Sequence, residues 1–337
     1  MCGRSSDKDS GRVGEALLSA GSMLLATHVS PDGDAIGSMA ALVRAASAAG
    51  KSARAVVPVE LPQRYEFMLA GLDTVPEGAF ARAARSVDSI VVVDTCSFAQ
   101  LAPIAEELRR LSVKTVVIDH HATSDDIGSI QWQDSSASAA GVMVGELLDE
   151  LDWPVTPAIA DALATAILTD TGWLRFSNTD NRSLDMLGVM LSRGANFAKL
   201  HRLVYENNRP ERIKLRARAL ASLELHCEGR LAMMTLRAKD FSATGADQSE
   251  TEDLVNEAMS IRGVEVAVML TELADQVRAS LRSHPSQMKG TTGVAVDVAR
   301  IARRFGGGGH VQAAGCRSTD DLEVFCRKLL LACQDSM

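Results

Sequence analysis

The chain has 337 residues, long enough for two domains with cores of their own, and 46% of them are hydrophobic, as in a globular protein. Its formal net charge of −8 argues against a surface built to track long nucleic acid, because such domains are basic. A short oligonucleotide or a mononucleotide phosphate, held in a local pocket, is compatible with that charge. The six cysteines (Cys2, Cys96, Cys227, Cys316, Cys326 and Cys333) include no Cys-x-x-Cys pair. Reduced thiols are therefore expected, not a disulfide framework or a zinc knuckle. The first residues carry no apolar run of a signal peptide, and no stretch reaches the roughly 18 apolar residues of a membrane span, so the expected location is cytoplasmic.

Residues 1–10 are polar and expected to be disordered. Val13 to Ala20 has helical spacing and stops at Gly21. Ser22 to His28 reads as a buried strand with His28 at its end. The turn-rich segment Val29-Ser-Pro-Asp32-Gly-Asp34-Ala-Ile-Gly37-Ser38 then opens a helix that runs to about Ala49. Asp32 and Asp34 flank Gly33 and can point into one cavity, while Gly37 and Ser38 put backbone N–H groups at a helix start, which favours an anion. The plain alternative is a Pro-Asp-Gly turn with Asp34 as N-cap. That alternative leaves the preceding His28 unexplained. Carboxylates with one imidazole and no thiol form a donor set for Mn²⁺ or Mg²⁺.

Ala53 to Val57 is a second strand, and Ser89 to Val93 a third, ending in Asp94 and Thr95. Thr115 to Ile118, a β-branched apolar run, is a fourth strand buried on both faces, and it runs straight into Asp119, His120 and His121. Parallel strands deliver their carboxyl ends to one rim, so these polar endings are expected to converge. Ser135 to Leu151 reads as a helix, as does Ala158 to Leu168, which is apolar all round and therefore buried. The latter ends at Asp170, which needs a metal, a cation or several N–H donors once buried. Arg175 and Asn178 follow as candidate phosphate or base contacts. Helices are expected over Asn181–Arg193 and Lys199–Leu225, the second a charged linker.

A smaller α/β unit begins near Leu231, with a strand over Leu231–Leu236 and a helix over Glu250–Ile261. An antiparallel hairpin pairs Val264–Glu272 with Gln276–Ser283. A helix over Val296–Phe305 leads into Gly306, Gly307, Gly308 and Gly309, then His310. A glycine run lets backbone N–H groups approach an anion closely. With Arg278, Arg282 and Ser283 on a neighbouring strand, this face is expected to grip a phosphate. The organisation expected is an α/β fold of two domains, residues 12–195 and 229–337, joined by a helical linker over 196–228.

His28-Val-Ser-Pro-Asp32-Gly-Asp34-Ala-Ile-Gly-Ser38, Asp94, Asp119-His120-His121 and Asp170 resemble, in order and setting, the four motifs of the DHH phosphoesterases. Ser280-Leu-Arg-Ser283 and Gly306-Gly-Gly-Gly-His310 with Ala313-Ala-Gly315 look like the DHHA1 domain that accompanies them. The compact layout is most similar to the branch that degrades nano-RNA and dephosphorylates 3′-phosphoadenosine-5′-phosphate (pAp). The resemblance implies a parallel-sheet DHH domain, a smaller DHHA1 domain and an active site in the cleft between them.

It also implies two divalent ions, Mn²⁺ foremost with Mg²⁺ or Co²⁺ as alternatives. One ion would be held by His28, Asp32 and Asp94, the other by Asp34, Asp94, His120 and Asp170. His121 would lie against the substrate phosphate, and Asp119 would support a neighbouring imidazole. Arg282, Ser283 and His310 would bind the phosphate or nucleotide end. The implied reaction is hydrolysis of short oligoribonucleotides and pAp by a water activated between the two ions, and the family leaves room for a homodimer. Leu174 departs from the pattern, which commonly has an aromatic there. Three rivals stay open: a phosphodiesterase for cyclic di-AMP or linear dinucleotides, a non-catalytic nucleotide-binding regulator, and a structural protein whose aspartates are helix caps.

Overall fold

A computed structural model describes residues 6–59, 61–122, 124–284 and 295–337. The chain divides into two compact units, Met1–Asn207 and Asn208–Met337. The first unit runs α1 (Ser6–Ser19), β1 (Ser22–Ala26), α2 (Gly33–Ala48), β2 (Ser52–Val57), α3 (Glu66–Leu69), β3 (Thr74–Pro76), α4 (Phe80–Ala84) and β4 (Ser89–Val93). It continues with α5 (Ala102–Arg110), β5 (Lys114–Asp119), β6 (Ile130–Gln133), α6 (Ala140–Glu150), α7 (Pro157–Asp170), α8 (Asn181–Ser192) and α9 (Phe197–Tyr205).

Its six strands form one parallel sheet in the order β3-β2-β1-β4-β5-β6. The central strands β1 and β4 are apolar after their first serine because both faces are covered. Met23, Leu25, Val91 and Val93 enter one core with α2, α6 and α7. The alternate residues Leu24, Ala26, Ile90 and Val92 enter another with α4 and α5. Each such side chain, fully buried, is worth about 1.5–3 kcal/mol. Chain connections leave β1 and β4, neighbours in the sheet, in opposite directions. Their loops separate there and open a crevice at the strands' carboxyl ends.

Several expectations change. Residues 6–10 are helical, because the apolar face of α1 (Val13, Ala16, Leu17) is buried and carries its first turn along; residues 1–5, with Cys2, lie outside the described residues. The sheet has six strands instead of four; β3 and β6 are short edge strands with too little apolar character to stand out. Strand β1 ends at Ala26, two residues before His28. Helix α6 starts at Ala140, five residues later than read from Ser135. The expected single helix over 199–225 is broken after Tyr205 and resumes at Pro210, which cannot donate a helical hydrogen bond and holds Arg209 extended.

The second unit holds α10 (Pro210–Ala221), β7 (Glu224–His226), β8 (Leu231–Leu236), α11 (Ala238–Thr244), α12 (Val255–Ala258), β9 (Val266–Glu272), β10 (Val277–Ser283), α13 (Val298–Arg303), β11 (Gly308–His310), β12 (Ala313–Ser318) and α14 (Leu322–Gln334). Its sheet order is β11-β12-β10-β9-β8-β7, antiparallel except for β8 with β9. The expected hairpin is present as β9 and β10. The helix read over 250–261 is instead a 3-10 turn and the short α12, separated by Asp253 at φ +63°. The glycine run is not an open loop: Gly308 and Gly309 pair with β12. Cys96, Cys227, Cys316, Cys326 and Cys333 are free. No helix among the described residues is long and apolar enough to cross a membrane.

Candidate metal centre

Five loops and helix ends converge at the carboxyl rim of the first sheet. His28 follows β1, Asp32 caps α2, Asp94 follows β4, Asp119 ends β5, and Asp170 ends α7. The N-cap of α2 is Asp32 and not Asp34: Asp32 Oδ1 accepts from the N–H groups of Asp34 (3.0 Å) and Ala35 (3.1 Å). Asp34 is thereby turned inward. Its Oδ2 accepts from Ala140 N (2.6 Å), and its Oδ1 from Gly141 N (2.8 Å) and Ser38 Oγ (3.0 Å). A carboxylate at the start of α6 is where the helix dipole favours one.

Small residues make this convergence physically feasible. A Cβ at Gly37 would stand 2.6 Å from the Ala162 carbonyl oxygen, and one at Gly141 would stand 2.6 Å from Ala166 Cβ. The three helices approach this closely only because neither residue has a side chain. Gly37 and Ser38 thus serve helix packing and the orientation of Asp34, which corrects their reading as an anion site.

Asp94 lies at the centre, with its backbone at φ +61°. Its Oδ2 is 3.4 Å from His28 Nε2, and its Oδ1 is 3.4 Å from His120 Nε2 and 3.9 Å from His121 Nδ1. His120 Nδ1 meets the Ala137 carbonyl at 3.2 Å, which leaves Nε2 facing Asp34 (3.8 Å), Asp94 and Asp170 (3.9 Å). His121 is held by Asp119, whose Oδ1 is 2.7 Å from its Nδ1 and 3.2 Å from its backbone N. Asn178 donates from Nδ2 to the Ser138 carbonyl (3.0 Å), the Asp170 carbonyl (3.2 Å) and Asp170 Oδ2 (3.3 Å). It therefore orients Asp170, a role that its place in the sequence did not suggest. Arg175 donates from Nε to the Gly172 carbonyl at 2.7 Å.

The electrostatics are those of carboxylates crowded without enough cations. Burial first, and then Asp94, push Asp34 well above its ordinary range. Burial raises Asp170 to about 7, with Asp32 and Asp94 adding to the rise against the opposing pull of His120. Burial alone would lower the imidazoles, yet hydrogen bonding and attraction to Asp94 raise His28 to about 9 and His120 well above its usual value. Burial alone would raise Asp94, but His120 and His28 draw it below the usual carboxylate range.

These donors fit divalent cations. His28, Asp32 and Asp94 offer ligand atoms within 4.8 Å of one another, as do Asp34, His120 and Asp170, and Asp94, His120 and His121. Among the described residues, Asp94 Oδ1 is buried and receives no hydrogen bond in good geometry. Oxygen and imidazole donors without a thiolate suit a hard or borderline divalent metal. The protein is thus equipped to hold such a metal through its own side chains.

In the second unit, Arg282 is half-buried on β10 and donates from Nη1 to the Leu281 carbonyl (3.0 Å). Arg278 donates to Thr251 Oγ1. Ser283 Oγ bonds the Val296 carbonyl at 2.7 Å, which commits it to holding the strand end. Gly308, Gly309 and His310 are exposed along β11, with Gly307 just before them.

Comparison with known proteins places this geometry in context. The model of the DHH family, N-terminal domain, matches residues 22–167, and the model of the DHHA1 domain matches residues 231–334. A protein of Thermus thermophilus named bifunctional oligoribonuclease and PAP phosphatase NrnA is 31% identical over 324 residues, covering 94% of this chain and 90% of that one. The Bacillus subtilis protein of the same name is 27% identical, covering 91% and 95%. The crystal structure of an exopolyphosphatase-related protein from Bacteroides fragilis superposes with a TM-score of 0.88 at 21% identity, over 98% of this chain and 96% of that one, a likeness of fold.

Proposed function

Because the chain belongs to the DHH family, with a DHHA1 domain following the DHH domain, we propose that it is a metal-dependent phosphoesterase hydrolysing short oligoribonucleotides to mononucleotides and pAp to AMP. The observation that carries the reading is the pair of donor clusters at the sheet's carboxyl rim, His28 with Asp32 and Asp94, and Asp34 with His120 and Asp170, linked by Asp94 Oδ1 lying 3.4 Å from His120 Nε2. The names of the Thermus and Bacillus relatives supply the substrate class. The net charge of −8 favours short over long RNA.

The proposed ligands are His28, Asp32 and Asp94 for one ion and Asp34, Asp94, His120 and Asp170 for the other, with Mn²⁺ as the favoured metal. A pair of divalent ions, when bound, supplies an acidified water and a clamp for the attacking and leaving oxygens of an in-line displacement. The chain's residues set up that chemistry. The Ala137 carbonyl at His120 Nδ1 fixes the tautomer that offers Nε2 as a ligand. Asn178 holds Asp170 in its ligating orientation. Asp119 fixes the His121 ring, whose Nε2 is the atom proposed to donate to a non-bridging phosphate oxygen. Arg282, Ser283 and His310 of the second unit are proposed to bind a phosphate or the nucleotide end of the substrate.

The test is hydrolysis of a 5′-labelled RNA ladder from about two to about twenty-four nucleotides, chosen to span the short and long substrate classes, with pAp and cyclic di-AMP alongside, in Mn²⁺. Rapid loss of the shortest RNAs and of pAp, with long RNA spared, is the expected result. Preferential turnover of the cyclic dinucleotide would move the protein to second-messenger degradation, and inertness towards all three would overturn the enzymatic reading.

A further inference from the structure

The two faces of the second unit's sheet are covered unequally. On one face α13 and α14 pack against Val277, Ala279, Leu281 and Cys316. On the other face α10 and α12 cover β8 and β9 through Ala232, Met234, Ala267 and Met269. That cover ends at β10: Arg278, Ser280 and Arg282 are half-buried, and beyond them Arg317, Gly315 and Gly308 are exposed.

Strand register arranges the uncovered half in three rungs. Arg278 stands opposite Arg317; Ser280 opposite Gly315, and Gly315 opposite Gly308; Arg282 opposite Ala313, and Ala313 opposite His310. Two arginine-bearing rungs therefore flank a rung of small side chains, with Asp253 and Glu252 standing near Arg282. A cavity of about 330 Å³ lies against the first two rungs and the Phe305–Gly307 backbone.

Two features point to a ligand here. Like charges directly opposite on neighbouring strands are destabilising, and among the described residues Arg317 has no carboxylate partner. Gly308 is the second. A Cβ there would meet nothing within 4 Å, and its backbone does not lie at positive φ. Neither packing nor conformation requires glycine at that position, whereas a bare floor lets a flat group lie on the sheet.

We propose that the Arg278–Arg317 rung is a phosphate subsite used by oligonucleotides and not by pAp, with a dinucleotide step between it and the Arg282 rung lying across the bare rung. The proposal rests on the functional reading above and adds a cause for length preference. Arg278 and Arg282 are four residues apart on β10, about 13 Å at 3.3 Å per residue. Phosphates two nucleotides apart in an RNA, with two riboses between them, can bridge that interval. The two phosphates of pAp flank a single ribose, half that separation, and do not engage both rungs.

The experiment compares Arg317→Ala and Arg317→Glu with the wild-type full-length protein on a 5′-phosphorylated tetra-adenylate and on pAp, with melting curves confirming the fold. Arg317→Ala is expected to raise KM for the tetranucleotide about tenfold, the loss of one charge-assisted hydrogen bond. Its kcat should stay near wild type and its pAp kinetics should be unchanged. Arg317→Glu should raise the tetranucleotide KM further. An unchanged tetranucleotide KM in both variants, or an equal rise for pAp, overturns the subsite. If the wild type hydrolyses neither substrate, the functional reading fails separately. The subsite is then decided by fluorescence anisotropy of the labelled tetranucleotide in EDTA, where equal binding by wild type and Arg317→Glu refutes it.

Discussion

Asp170→Asn should stabilise the metal-free protein while removing its response to metal. Burial and the neighbouring carboxylates lift Asp170 from its ordinary 3.8 to about 7. Keeping it ionised at pH 8 therefore costs up to about 4 kcal/mol, roughly three pH units at 1.36 kcal/mol each. Asparagine has nearly the same shape and no charge, and its side-chain oxygen can still accept from Asn178 Nδ2, which lies 3.3 Å from Asp170 Oδ2. Recovery of only a quarter of that cost, about 1 kcal/mol, would raise the melting temperature by about 2–4 °C for a unit of this size. The stabilisation conferred by Mn²⁺ should shrink at the same time, and hydrolysis should fall by more than a hundredfold, beyond the roughly 10- to 100-fold typical of losing a group that merely supports a ligand. Scanning fluorimetry of both proteins, in EDTA and with added Mn²⁺ at pH 8, reads both effects. A lower melting temperature in EDTA with an undiminished metal response would refute the reasoning and make Asp170 a structural cap.

Asn178→Ala removes the donor that orients Asp170 and should weaken Mn²⁺ binding about tenfold, read by calorimetric titration of the metal-free protein. Asp119→Asn should lower kcat with little change in Mn²⁺ affinity, because it loosens His121 and leaves His28, Asp94 and His120 in place; steady-state kinetics with pAp separates the two effects. The metal-free protein should lose stability as pH rises. Both groups bind protons more tightly folded than unfolded, so the Asp170 contribution fades as pH passes from 3.8 through about 7, and that of His28 from 6.5 through about 9. Metal replaces those protons, so the Mn²⁺-induced rise in melting temperature should be larger at pH 9 than at pH 6, and a flat response between the two would contradict the assignment.

Much of this site was legible in the chain because its residues sit at the ends of strongly patterned strands. Ser89–Val93 and Thr115–Ile118 can only be buried, and parallel strands bring Asp94 and Asp119–His121 to one rim. Less visible were features set by tertiary contact. Asp34 reads as the cap by sequence, and only the structure shows Asp32 capping α2 while Asp34 faces inward to the start of α6. Asn178 looked like a ligand contact because its partner, the end of α7, is fixed by packing of Gly37 and Gly141 that no local pattern announces. The break at Arg209–Pro210 was readable from proline chemistry, yet the charged stretch over Lys199–Leu225 reads as one continuous helix. The rungs of the second sheet depend on register, which pairs Arg278 with Arg317 across 38 intervening residues.

The central claim is that two ions share Asp94 and that catalysis needs both. Equilibrium dialysis of the metal-free protein against increasing Mn²⁺, with pAp hydrolysis followed in the same samples, tests it directly. The account predicts two ions bound per chain, activity rising with the second, and both lost in Asp94→Ala. Full activity at one bound ion, or an Asp94→Ala protein that still binds two and still cleaves pAp, would contradict it.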